Sequence, residues 1–282
     1  MEYVNLGRSG LKISKVILGC MSYGTSGWQE WVLDEHQALP LLEYAYKRGI
    51  NTWNTADTSS NGQSEALISK ALGCLTECFA GVNDEGRQTQ ISDSIVNDGP
   101  WVNRVGLSRK HIFDAVDAGV QRLGSYIDEI MRVLNDVIES GKVRYIGASS
   151  MAAWEFQALQ NIAVRNNWHR FISMQNYHNL LAREEEQEMF PYCIDAGIGL
   201  DSLVAARTRV RDVTDRAVRS LVRGEFDGDQ KIVDHVEEVA AKKGVSMAQV
   251  ATAWSLSHHG MNLILGLNSK ERDRRGGYSY PD

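Results

Sequence analysis

The strongest constraint on the fold is a rhythm: short apolar runs alternate with stretches of helical periodicity. Lys15-Val-Ile-Leu-Gly19 reads as a strand, and the Gly7-Arg-Ser-Gly10 segment before it as a hairpin. Gln37–Tyr46 has the spacing of an amphipathic helix. Lys47-Arg48-Gly49 closes it, with cations in the last turn and glycine past the end. Ile50–Ala56 then reads as a strand and Ser64–Leu72 as a helix. The alternation returns with a strand at Val143–Gly147, a helix at Ala152–Ala163 and a strand at Phe171–Tyr177. A helix over Glu184–Ala196 and a strand opening at Gly197–Leu200 follow. Ser246 and Gln249 make a capping box ahead of a helix over Met247–Ser257, and Leu263–Gly266 reads as the final strand.

Repeated strand–helix units imply parallel strands, and right-handed crossovers leave a closed barrel or an open doubly wound sheet. No GxGxxG follows a strand and opens a helix, and no GxxxxGK[ST] occurs, which weighs against the open nucleotide folds. The 282 residues suit a (β/α)8 barrel, typically about 250 residues long. Two stretches break the rhythm: 80–109, polar and aperiodic, and 207–216, a run of mixed charge. Four prolines and no low-complexity tract leave no linker, so residues 1–282 read as one domain.

Composition narrows the partners. With 30 Lys+Arg against 36 Asp+Glu the formal charge is −6, so the chain does not advertise the basic surface that nucleic acid demands. No apolar run is long enough to span a bilayer, and the start lacks the basic flank and apolar stretch of a signal peptide. Cys20, Cys74, Cys78 and Cys193 form no CxxC pair, and the expectation is reduced thiols in a cytoplasmic protein. Cys74 and Cys78 have no histidine nearby, and no metal site is expected. His258-His259 at a helix end is read as favouring the negative end of the dipole.

Six segments, in order, carry a resemblance. They are Leu6-Gly-Arg-Ser-Gly-Leu-Lys-Ile-Ser14, Leu18-Gly-Cys-Met-Ser-Tyr-Gly24 and Gly49-Ile-Asn-Thr-Trp-Asn-Thr-Ala-Asp57, then Gly141-Lys-Val-Arg-Tyr-Ile-Gly-Ala-Ser-Ser150, Ser173-Met-Gln-Asn-Tyr177 and Gly266-Leu-Asn-Ser-Lys-Glu-Arg272. Together they resemble an aldo-keto reductase of the branch that includes fungal secondary-metabolite reductases. The resemblance implies a (β/α)8 barrel that binds NADP(H) at its C-terminal mouth and reduces a small-molecule carbonyl to an alcohol. It also implies an incomplete barrel. Tyr126-Ile-Asp128 runs directly into the helical Glu129–Leu134, leaving at most a stub of strand four, and the chain ends soon after Arg272.

Residue by residue, the resemblance implies a changed site. The family's acid-tuning aspartate, tyrosine acid and lysine fall on Asn54, Ser59 and Glu77, and the strand that carries its histidine is absent. A serine hydroxyl is a far poorer acid than a phenol of pKa ~10. Glu77 would oppose a developing alkoxide. The cofactor positions are Gly19 and Met21 beneath the nicotinamide, Ser149, Ser150 and Gln175 at its carboxamide, and Ser269 and Arg272 at the adenosine 2′-phosphate. No aromatic follows Gly199-Leu-Asp-Ser to stack on the nicotinamide, so NADP(H) is expected to bind weakly.

From the residues alone, Ser149, Ser150 and Gln175 also read as ordinary strand-end polar groups. Arg272 reads equally as part of a solvated charge cluster. Tyr23, Tyr126 and Tyr177 are substitute acids if they face the mouth, and otherwise packing residues. His178, just past the sixth strand, reads as a structural histidine that could face the mouth. Two functions stay open: an NADP(H)-dependent carbonyl reductase of a metabolite pathway, and a catalytically dead, eroded paralogue that binds ligand or has no activity.

Overall fold

A computed structural model describes residues 1–56, 59–77, 126–203 and 229–269. Their centre is a curled sheet of six parallel strands. These are β3 (Val16–Gly19), β6 (Trp53–Asn54), β7 (Ile146–Ser149), β8 (Phe171–Asn176), β9 (Gly199–Leu203) and β10 (Met261–Gly266). The spatial order is β6-β3-β10-β9-β8-β7, so the first and last strands in sequence are neighbours. That arrangement is the seam of a barrel. The described strands form an incomplete one, with β6 and β7 at the free edges.

The N-terminal hairpin is as expected: β1 (Tyr3–Asn5) pairs antiparallel with β2 (Lys12–Ser14). Two further short strands, β4 (Tyr23–Gly24) and β5 (Leu33–Asp34), pair with each other beside the mouth. Seven helices occur among the described residues: α1 (Glu35–Lys47), α2 (Gln63–Glu77), α3 (Tyr126–Glu139), α4 (Ala153–Asn166), α5 (Met189–Ala196), α6 (Asp229–Lys243) and α7 (Met247–Leu256). The capping box of α7 forms as read. Ser246 Oγ accepts from the Gln249 amide, and Gln249 Oε1 accepts from the Ser246 amide.

Among the four apolar layers that alternation along the strands separates, three bear on the site. Leu18, pointing outward from β3, packs with Leu41, Leu42 and Ala45 of α1 and Leu67 and Ala71 of α2. On the opposite side Met131, Phe156, Phe190 and Cys193 cover Met174 of β8 and Leu200 of β9. The third layer is the inner floor of the barrel, where Leu6 and Ile13 of the hairpin seat against Ile17 and Ile264. The buried Gln160 amide ties α4 to β8: it donates to the Phe171 carbonyl and accepts from its amide, both at 3.0 Å.

Among the boundaries that differ from the sequence reading, four have a local reason. Tyr126–Asp128 is no strand stub; it is the first turn of α3, because apolar residues at 127, 130, 131, 134 and 138 already keep helical period. The expected helix over Glu184–Ala196 is broken into a 3-10 turn (Glu184–Glu186) and α5. Pro191 is the reason, since a proline fits a helix's first turn but not its interior. Gly197 adopts φ 71° as the left-handed end of α5, so β9 starts two residues later than expected. The strand expected at Val143–Gly147 forms at Ile146–Ser149, where its pairing with β8 is interrupted by an irregularity between Ile146 and Gly147. Helix α6, absent from the sequence reading, carries the apolar stripe Ile232, Val233, Val236, Val239 and Ala240, of which only Ala240 is buried.

Candidate active site

The C-terminal ends of the parallel strands carry the candidate residues. Register places Gly19 beside Asn54 and Gly266, and places Ser149, Gln175 and Asp201 side by side on β7, β8 and β9. Because Leu18, Met174 and Leu200 face the helices, their strand neighbours Gly19, Gln175 and Asp201 face the barrel interior. A polar layer therefore lies above the apolar floor.

One contact defines that layer. Asn54 Nδ2 donates to Gln175 Oε1 at 3.1 Å, reaching from the edge strand β6 across the barrel interior to β8. The bond occupies the Gln175 carbonyl oxygen and leaves its NH2 group as a donor. Beside it, the Ser149 and Ser150 hydroxyls lie 3.3 Å apart, and the Ser150 main-chain amide donates to the Gln175 main-chain carbonyl at 3.1 Å. Ser150 adopts φ 51°, a left-handed conformation that costs a non-glycine residue about 1–2 kcal/mol. The structure thus brings together Asn54, Ser149, Ser150 and Gln175.

The other expected residues are placed as follows. Gly19 is closely packed, since a Cβ there would stand 3.2 Å from Ile264 Cγ2, and Met21 follows it half-buried. Ser59 is buried in the 3-10 turn Ser59–Gly62, where it makes no hydrogen bond to the Asn54–Gln175 pair. That turn holds Ser60 and Asn61 at φ 51° and 52° and packs Ser60 against Gly24 of β4. Glu77 is the last residue of α2. Ser269 is half-buried beyond β10, while Arg272 lies outside the described residues, as do the side chains of Glu77 and Tyr126.

Tyr23 is not available as a substitute acid. It is fully buried, its hydroxyl donates to the Leu267 carbonyl at 2.5 Å, and burial pushes its pKa well above the ordinary phenol value. His178 is also buried and packs outside the strand ends against Phe190 and Trp254, rather than facing the mouth.

The sequence reading missed Asp201 and Asn262. Asn262 is buried and donates to Asp201 Oδ1 and to the Leu200 carbonyl, both at 3.1 Å. Burial pushes the Asp201 carboxyl up to about 6. The signal was a lone polar residue inside the apolar run Met261-Asn-Leu-Ile-Leu265. Because an unfolded aspartate titrates near ~3.9, the folded state holds the proton more tightly. Stability therefore falls as pH rises between those two values, and the charged form bears the full cost above them. Asp201→Asn is expected to stabilise the fold by on the order of 1–3 kcal/mol at pH ~7.5 and by little at pH ~4, read by urea unfolding at both. Equal effects at both pH values would place the carboxyl elsewhere.

The sequence pattern of the Aldo/keto reductase family matches residues 15–273. That span contains all six strands of the sheet. The chain belongs to this family. Among its relatives, Versiconal hemiacetal acetate reductase of Aspergillus parasiticus is 55% identical, over 96% of this chain and 90% of that protein. Aldo-keto reductase AFTS1 of Alternaria alternata is 39% identical, over 96% and 85%. Aldo-keto reductase dtxS3 of Metarhizium robertsii is 38% identical over the same shares. The aldo/keto reductase fold is a (β/α)8 barrel, and the seam between β3 and β10 is the closure expected of one. No helix among the described residues is long and apolar enough to cross a membrane.

Proposed function

We propose that this single-domain chain binds NADP(H) at the barrel mouth and slowly reduces a carbonyl of a secondary metabolite in the cytoplasm. The observation that carries the reading is the Asn54–Gln175 bond beside Ser149 and Ser150. An amide NH2 and two hydroxyls offer the donors and acceptors that a carboxamide needs, so the residues present fit the nicotinamide. When bound, that cofactor supplies hydride. Gln175, Ser149 and Ser150 would hold its carboxamide, Gly19 would let the ring lie close to the strand end, and Ser269 and Arg272 would take the 2′-phosphate. The name of the Aspergillus relative points to a substrate whose carbonyl is masked as a hemiacetal.

Titration of the protein with NADPH, by fluorescence or calorimetry, tests this. Gln175→Ala is expected to weaken binding by about 0.5–1.5 kcal/mol, roughly 2- to 10-fold in Kd. Arg272→Ala removes a charge-assisted contact worth about 1.5–3 kcal/mol. Binding that neither change moves would mean the site is misassigned. A second reading, ligand binding without turnover, is favoured by the burial of Ser59 where the family's acid is expected.

A further inference from the structure

We propose that His178, Glu186 and His258 form a binding site for a divalent transition-metal ion, for which zinc is the probe. The three residues come from the loop after β8, the 3-10 turn Glu184–Glu186 and the end of α7. No HExxH-like spacing announces them. Their ligating atoms all lie within 4.8 Å of one another.

The geometry turns on one carboxylate oxygen. Glu186 Oε1 faces His178 Nε2 at 2.9 Å and His258 Nε2 at 3.5 Å. His258 Nδ1 contacts the Trp254 carbonyl at 3.0 Å, and because a carbonyl only accepts, Nδ1 carries the proton. In the neutral ring Nε2 is then a bare lone pair aimed at a carboxylate oxygen. Two acceptors face each other there unless a second proton or a metal cation lies between them. A zinc ion about 2.0–2.2 Å from each ligand satisfies both, and a ring held by an Nδ1–H···O=C bond is the usual partner of such an ion.

Packing fixes the other imidazole. His178 is fully buried, stacked on Trp254 with centroids 5.0 Å apart and edge-on to Phe190 at 4.8 Å. The ion replaces the proton between His178 Nε2 and Glu186 Oε1. The displaced proton is then carried by His178 Nδ1, which is buried with no hydrogen-bond partner in the structure, and this cost weakens the site. Arg183, which donates to both Glu186 oxygens at 2.7 Å and lies over Trp254, keeps its bond to Oε2. Its charge opposes a dication and weakens the site. His258 and Glu186 are 22% and 24% exposed, which leaves a side open for water as the fourth ligand. The ion would clamp the loop after β8 to α7 and would take no part in carbonyl chemistry.

The test uses the full-length, untagged protein, stripped with chelator. Zinc is titrated against a chromophoric indicator, and cobalt is added to read the ligand-field bands of a near-tetrahedral site. One zinc per chain is expected, bound at least tenfold more weakly by His258→Ala and by Glu186→Gln. Zinc should raise the unfolding midpoint of the unmodified protein and not that of His258→Ala. His258 is on the open side, so its loss leaves the core intact, and Glu186→Gln gives a second, nearly isosteric reading. Absence of saturable zinc binding in the micromolar range, or equal binding by the unmodified protein and His258→Ala, overturns the proposal.

Discussion

Purified protein mixed with NADPH and a simple aldehyde is expected to consume NADPH about 10²–10⁴-fold more slowly than a positioned general acid allows. Asn54 stands where the resemblance puts an acid-tuning aspartate, and its amide is engaged with Gln175. Ser59 stands where it puts the acid and is only 4% exposed. Tyr23 is locked onto the Leu267 carbonyl. What remains is positioning, which lowers a barrier without supplying a proton. Ser59→Tyr alone is not expected to restore the rate. A phenol forced into that buried turn overpacks it, at a typical cost of about 1–3 kcal/mol. Absorbance at the reduced-nicotinamide band decides the matter. Rapid turnover by the unmodified protein would show that another group donates the proton. Were that turnover to rise as pH falls through about 6 and vanish in Asp201→Asn, the donor would be Asp201.

The alternation of Lys15–Gly19, Phe171–Tyr177 and Leu263–Gly266 with helices was enough to read parallel strands. Burial on both faces makes such strands continuous apolar runs bounded by turn residues. The same logic explains what was hidden. Pro191 splits a helix that periodicity alone would run through, and Tyr126–Asp128 joins a helix because its apolar spacing allows it. In the site, Gln175, Ser149 and Ser150 were legible because they sit at strand ends in recognisable motifs. Their link to Asn54 was not, since 121 residues separate the two amides and only barrel curvature brings them together. The pairing of Asp201 with Asn262, and of Glu186 with two histidines, likewise depends on contacts between elements. A one-dimensional pattern holds no record of those contacts.

The floor of the barrel makes a sharper demand on the sequence than its mouth does, and Gly7→Ala is expected to cost about 2–4 kcal/mol in urea unfolding. Gly7 sits in the hairpin loop at φ 56°, where an alanine carries a penalty of about 1–2 kcal/mol. Space is the larger obstacle. A Cβ at Gly7 would stand 2.6 Å from the Gly199 amide nitrogen and 2.8 Å from the Ile198 carbonyl carbon, and closer still to the Gly197 carbonyl oxygen. All three are backbone atoms, so relief requires the hairpin to lift away from the start of β9. Lifting it breaks the 2.7 Å bond from the Arg8 amide to the Gly197 carbonyl, and draws Leu6 off Ile17 and Ile264. Gly10 supplies the control. It lies in the same loop at φ 79°, and a Cβ there meets nothing within 4 Å. Gly10→Ala should therefore lose only the conformational part, about 1–2 kcal/mol. Equal losses at the two positions would mean that backbone strain alone governs this loop, and that the hairpin does not press on β9. A large loss confined to Gly7 would establish the hairpin as the stopper beneath the polar layer that Asn54 and Gln175 form.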